Sequence, residues 1–94
     1  MREHYFFDNA GTTWPKPEVV YQTMDSFLRS YGVNPGRGAH EMAAEADRMV
    51  TETRRLLAEF FGYNGPSERV VFGQNVTDAL NMALFGLLSP GDHL

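Results

Sequence analysis

The chain has 94 residues, 43% hydrophobic and 21% charged, a globular composition that excludes wholesale disorder and leaves room for one domain at most. A net charge of −4 excludes the basic excess that a nucleic-acid or anionic-membrane surface requires. With no cysteine, the chain can offer no disulfide, no thiolate metal site and no cysteine nucleophile.

The first residues carry Glu3 and no long apolar run, which fits neither a signal peptide nor a membrane span and points to a cytoplasmic protein. Tyr5 to Phe7 form a short aromatic, extended piece, and Asp8-Asn9-Ala10-Gly11-Thr12-Thr13 follows as a tight polar turn. Trp14-Pro15-Lys16-Pro17 stiffens the chain, with Pro17 suited to a first helical position. Val20, Met24, Phe27, Leu28 and Tyr31 then share one helical face, predicting a helix from about Pro17 to Tyr31 that ends at Gly32. Gly32 to Gly38 holds three glycines and a proline and is a loop.

The longest periodic pattern runs from Ala39 to Phe61. Met42, Ala46, Met49, Val50, Thr53, Leu56, Leu57, Phe60 and Phe61 form an apolar stripe, while the charged residues, Arg54 and Arg55 among them, form a solvated face. Gly62 is placed to terminate that helix, and Tyr63 to Ser67 is a turn cluster. Val70-Val71-Phe72 reads as a strand spanning about 69–73, which breaks at Gly73 and passes through Gln74-Asn75 into a third helix. Ser89-Pro90-Gly91-Asp92 is a further turn, and His93-Leu94 reads as the first step of another strand. A strand, helix, turn and strand open a parallel crossover unit, so the expectation is the front part of something larger.

The chemistry concentrates where the strand enters the third helix. The first turn, Val76-Thr77-Asp78, presents backbone N–H groups with no intrahelical partner at the positive end of the helix dipole, a setting that suits an anion such as phosphate. The same residues also read as ordinary capping, with Asn75 as N-cap and Asp78 three residues on.

Four motifs stand in fixed order: Tyr5 to Thr13 with Pro15-Lys16-Pro17, then Asn34-Pro35-Gly36-Arg37-Gly38-Ala39-His40, then Val70-Val71-Phe72, then Asn75-Val76-Thr77-Asp78-Ala79-Leu80-Asn81. Together they resemble the N-terminal portion of class V aminotransferases, closest to the cysteine desulfurase-like branch that depends on pyridoxal phosphate. The resemblance implies an α/β fold, the N-terminal part of the type I pyridoxal-phosphate-dependent transferase fold, mostly helical here with one strand of the large-domain sheet. It divides the chain into an arm, first helix and Gly-rich loop over 1–38, and the long helix with the start of the cofactor-binding domain over 39–94.

Carried over residue by residue, the resemblance implies cofactor-phosphate contacts from the Val76 backbone and from the backbone and hydroxyl of Thr77, with Asn75 shaping the turn. It implies that Gly11 lets an amino-acid carboxylate approach main chain, and that Arg37, with His40 nearby, reaches the active-site region close to a homodimer partner. The Schiff-base lysine, the acid facing the pyridine nitrogen, the group over the ring and the sulfur-accepting cysteine all come from later in the family's chains. Lys16, the one lysine, matches none of these.

The expectation is therefore a fragment with no catalytic residue and no metal site, inactive alone, from an enzyme that removes sulfur from L-cysteine to give alanine and an enzyme persulfide. Gly73-Gln74-Asn75-Val76, Asp78 and Gly11 depart from commoner forms of the motifs and leave desulfurase, selenocysteine lyase and other class V activities open. The alternative is a small standalone helical module whose long amphipathic helix serves dimerisation or partner binding.

Overall fold

The computed structural model describes residues 3–36 and 40–94. In chain order it contains α1 (Glu18–Tyr31), α2 (Glu41–Phe60), one 3₁₀ turn (Ser67–Arg69) and α3 (Val76–Leu87). The chain divides into two compact units, Met1–Met49 and Val50–Leu94, and α2 runs through the division.

In the first unit the Asp8 carbonyl accepts the N–H groups of Gly11 (3.1 Å) and Thr12 (3.3 Å), and Asn9 Oδ1 accepts the Trp14 N–H at 3.2 Å. The polar turn expected there is formed, closed by the Asp8 main-chain carbonyl, with the Asn9 side chain tying its far end to Trp14. The Trp14–Pro15 peptide is cis, and the Trp14 ring meets Phe6 edge-on at 5.8 Å.

Pro17 sits one position before α1 as its N-cap, and its carbonyl takes the Val20 N–H at 2.9 Å. Phe27 and Tyr31, one helical turn apart, stack edge-to-face at 5.1 Å. Gly32 ends α1 at φ −67°, ψ 57°, an inverse γ-turn in which the Val33 N–H reaches the Tyr31 carbonyl at 2.7 Å.

Helix α2 begins at His40, whose Nδ1 accepts the Ala43 N–H at 3.2 Å and whose carbonyl accepts those of Ala43 and Ala44. In the second unit α2 ends on Gly62 at φ +66°. The Gly62 N–H bonds the Glu59 carbonyl (3.0 Å) and the Tyr63 N–H bonds the Ala58 carbonyl (2.8 Å), the paired bonds of a Schellman motif. Gly62 is required because this cap needs a left-handed residue, where a Cβ is strained.

The covered face of α2 overlaps the apolar stripe at Ala46, Val50 and Leu57 but is not centred on it. The buried hydrophobic residues among those described are Ala43, Ala46 and Ala58, and Val50, Arg54 and Leu57 are half-buried along the same face. Met42, Leu56 and Phe60 are exposed, Phe60 to 80%. The covered face is rotated towards the alanines because small side chains admit closer backbone approach, whereas the large ones need a partner surface. Helix α3 is apolar and likewise exposed, with Phe85 at 86% and Leu87 at 81%.

The strand expected at about 69–73 is not formed among the described residues. Ser67–Arg69 closes a 3₁₀ turn, and Val70 leaves it extended (φ −77°, ψ 111°) with its N–H on the Ser67 carbonyl at 3.0 Å. Extended backbone becomes a strand only when a neighbour completes the ladder, and no described segment does so.

Candidate functional site

Where Val70–Phe72 gives way to α3, Asn75 takes an extended conformation (φ −161°, ψ 173°) and its Oδ1 accepts the Asp78 N–H at 2.8 Å. Its carbonyl accepts the Ala79 N–H at 3.1 Å, the first bond of the helix. The Asn75 half of the capping reading is thus realised, while no reciprocal bond from the Asn75 N–H to the Asp78 carboxylate is formed among the described residues. The Asn75 cap satisfies the third amide of the turn and leaves the first two, those of Val76 and Thr77, with no partner among the described residues.

The Thr77 carbonyl accepts Asn81 Nδ2 at 3.0 Å, while its hydroxyl carries no bond among the described residues. Two free amides, a free hydroxyl and the positive end of a 12-residue helix converge on one exposed turn. This donor set fits a phosphate group.

Gly73 lies against that turn. A Cβ on it would stand 3.3 Å from Asp78 Oδ2 and 3.9 Å from the Ala79 side chain, so the chain passes close over the start of α3. The nearest atom to that position is the carboxylate oxygen of Asp78, the acid of the turn.

The predicted site residues fall in both units. Asn75, Val76 and Thr77 share the turn in the second unit, whereas Gly11 stands on the Asp8 turn of the first unit. Gly11 spends its N–H on the Asp8 carbonyl, and a Cβ there would stand 3.3 Å from the Asp8 carboxylate. A ligand at Gly11 would not gain its amide and would meet the Asp8 carboxylate on that side. Arg37 lies outside the described residues. His40 is committed through Nδ1 to starting α2. Lys16 donates from Nζ to the Thr13 carbonyl at 3.1 Å.

One contact escaped the sequence reading. Arg54, assigned to the solvated face, is half-buried, with its guanidinium carbon 5.7 Å from the centroid of the Phe72 ring. Its Nε is covered and has no hydrogen-bond partner. The signal was present in the spacing, since Val50, Arg54 and Leu57 fall at i, i+4 and i+7 on one face. A cation–π contact of this kind contributes roughly 0.5–2 kcal/mol, against the roughly 1–3 kcal/mol that a covered, unpaired donor costs.

No group of residues suited to hold a metal ion occurs among the described residues, and none of their helices is long and apolar enough to cross a membrane.

The profile of the family described as Aminotransferase class-V matches residues 5–94, and the chain belongs to that family. Among curated proteins it is similar to a probable cysteine desulfurase of Methanothermobacter thermautotrophicus, 36% identical over 87 residues, covering 93% of this chain and 21% of the relative. It is also similar to a cysteine desulfurase of Haloferax volcanii, 35% identical over 91 residues with coverage of 93% and 21%, and to a probable cysteine desulfurase of Mycolicibacterium paratuberculosis, 38% identical over 93 residues with coverage of 95% and 13%. The chain spans about a fifth or less of the length of these relatives. No solved structure matches it.

Proposed function

We propose that this chain is the N-terminal part of a pyridoxal-phosphate-dependent cysteine desulfurase and that it supplies the phosphate end of the cofactor site. The observation that carries this reading is the first turn of α3. There the Val76 and Thr77 amides and the Thr77 hydroxyl are free while Asn75 satisfies the next amide.

When bound, pyridoxal phosphate supplies the electron sink that a substrate amino acid needs to be activated next to its α-carbon. The residues of this chain hold it. The amides of Val76 and Thr77 donate to phosphate oxygens, the Thr77 hydroxyl adds a donor, and the helix dipole favours the dianion. Asn75 keeps the turn in register by capping Asp78, one residue beyond the two free amides. Gly11 and the guanidinium of Arg37 are assigned to the substrate carboxylate, which Arg37 would grip bidentately.

In the net reaction an enzyme thiol takes the sulfur of L-cysteine, a proton replaces it on carbon, and alanine and an enzyme persulfide result. The lysine, the ring partners and the thiol belong to other parts of the enzyme, as does the second subunit of a cytoplasmic homodimer.

The test is alanine formation from L-cysteine by the full-length protein and by the isolated 94 residues. The full-length protein should turn over and take up the cofactor, and the isolated chain should do neither. A full-length protein that releases no alanine refutes the desulfurase reading. One that shows no preference for pyridoxal phosphate over pyridoxal refutes the phosphate cradle.

A further inference from the structure

The connector that leads into α3 carries few hydrogen bonds of its own. Val70 bonds back to Ser67, and Asn75 begins the helix cap. Between them, Val71 to Gln74 make no hydrogen bond among the described residues, and no described strand pairs with them. One contact ties this connector to α2: the guanidinium carbon of Arg54 lies 5.7 Å from the centroid of the Phe72 ring.

Only Gly73 and Gln74 separate that ring from the capping residue Asn75, and Gly73 itself lies against Asp78 and Ala79 of the first turn. Phe72, 49% exposed, is thus linked through two residues to the cap that precedes the Val76 and Thr77 amides. The state of Arg54 fits a role in holding that ring. Its Nε is covered and unpaired, so the guanidinium makes no competing hydrogen bond through that atom and is seated by the ring beneath it.

We propose that Arg54 is a positioning residue for the α3 turn: seated on the Phe72 ring, it aims the free amides of Val76 and Thr77 at the anion they receive. This rests on the reading of that turn as the cofactor-phosphate cradle.

The experiment uses the full-length protein and two ligands, pyridoxal phosphate and pyridoxal, so that the ratio of their dissociation constants isolates the phosphate contribution. Arg54→Met should cut that ratio about fivefold, the size of a lost partly covered cation–π contact. Arg54→Lys, which keeps a cation over the ring, should recover part of it, and Arg54→Gln should not. Phe72→Leu, which leaves Arg54 in place and removes the ring, should reproduce the Arg54→Met ratio, and the double variant should add nothing further.

Loss of thermal stability alone would weaken both ligands together and leave the ratio unchanged. If wild type prefers pyridoxal phosphate strongly and neither Arg54→Met nor Phe72→Leu lowers the preference, the positioning role is overturned while the cradle stands. If Arg54→Met fails to fold, Phe72→Leu decides by the same ratio. A wild-type ratio near one overturns the cradle and the positioning role with it.

Discussion

Replacing Asn75 separates what the α3 turn does for the fold from what it does for a ligand. Asn75 Oδ1 accepts the Asp78 N–H at 2.8 Å, and the amides of Val76 and Thr77 have no partner among the described residues. Asn75→Ala removes the one side-chain cap of the helix and should cost about 1 kcal/mol, with the exposed position letting water restore part of the bond. Asn75→Asp should cost nothing measurable, because Asp caps about as well as Asn. It does, however, put a carboxylate on the residue next to the amides that would seat the anion. Even with water-like screening, two unit charges at about 4 Å repel by about 1 kcal/mol, so pyridoxal phosphate should bind at least about fivefold more weakly. Urea unfolding and cofactor titration of the full-length protein measure the two effects independently. Wild-type cofactor affinity in an Asn75→Asp variant of undiminished stability would refute the assignment of phosphate to this turn.

Thr77→Val, which keeps the amide and removes the hydroxyl, should weaken pyridoxal phosphate without weakening pyridoxal, and Thr77→Ser should restore the difference in the same titration. Gly62→Ala forces a Cβ into φ +66° with nothing within 4 Å to clash, so its cost is conformational, roughly 1–2 kcal/mol by denaturant unfolding, and Gly62→Asn should recover part of it. The Arg55 guanidinium, hydrogen-bonded to Glu52 at 2.8 Å, holds the Glu52 carboxyl below its usual range, and Glu52 and Glu59 together hold Arg55 above its own. The contribution of Glu52 is therefore present above the ordinary carboxylate pKa and fades as acid protonates the folded group. Followed by NMR, Arg55→Gln should move the Glu52 midpoint upward while stability at neutral pH barely changes, since both side chains are exposed. The isolated 94-residue chain should bind an apolar fluorescent dye strongly, because Phe60, Phe61, Phe85 and Leu87 all stand open to solvent, and a dye signal no higher than that of a compact globular protein would contradict that exposure.

Local chemistry was legible in the sequence wherever one residue type solves a local problem. Asn75 caps α3, Gly62 ends α2 in the left-handed region and a turn forms at Asp8, because each depends only on backbone geometry within a few residues; Pro17, expected at the first helical position, stands one residue earlier as the N-cap of α1. The family was equally readable, since four motifs in fixed order suffice to mark it, and the profile match over residues 5–94 agrees.

What depended on neighbours came out differently. Val70–Phe72 has the composition of a strand but lacks a described ladder partner, and β structure is a property of pairs of segments. The covered face of α2 follows Ala43, Ala46 and Ala58 rather than its largest apolar residues, because burial is decided by which surfaces meet and not by hydrophobicity alone. Arg54 carries the same lesson at one residue. The sequence by itself assigned it a charge and a helix, but only the fold brought the Phe72 ring beneath its guanidinium and covered its Nε, since a contact across 18 positions of chain exists only once α2 and the α3 connector fold against each other.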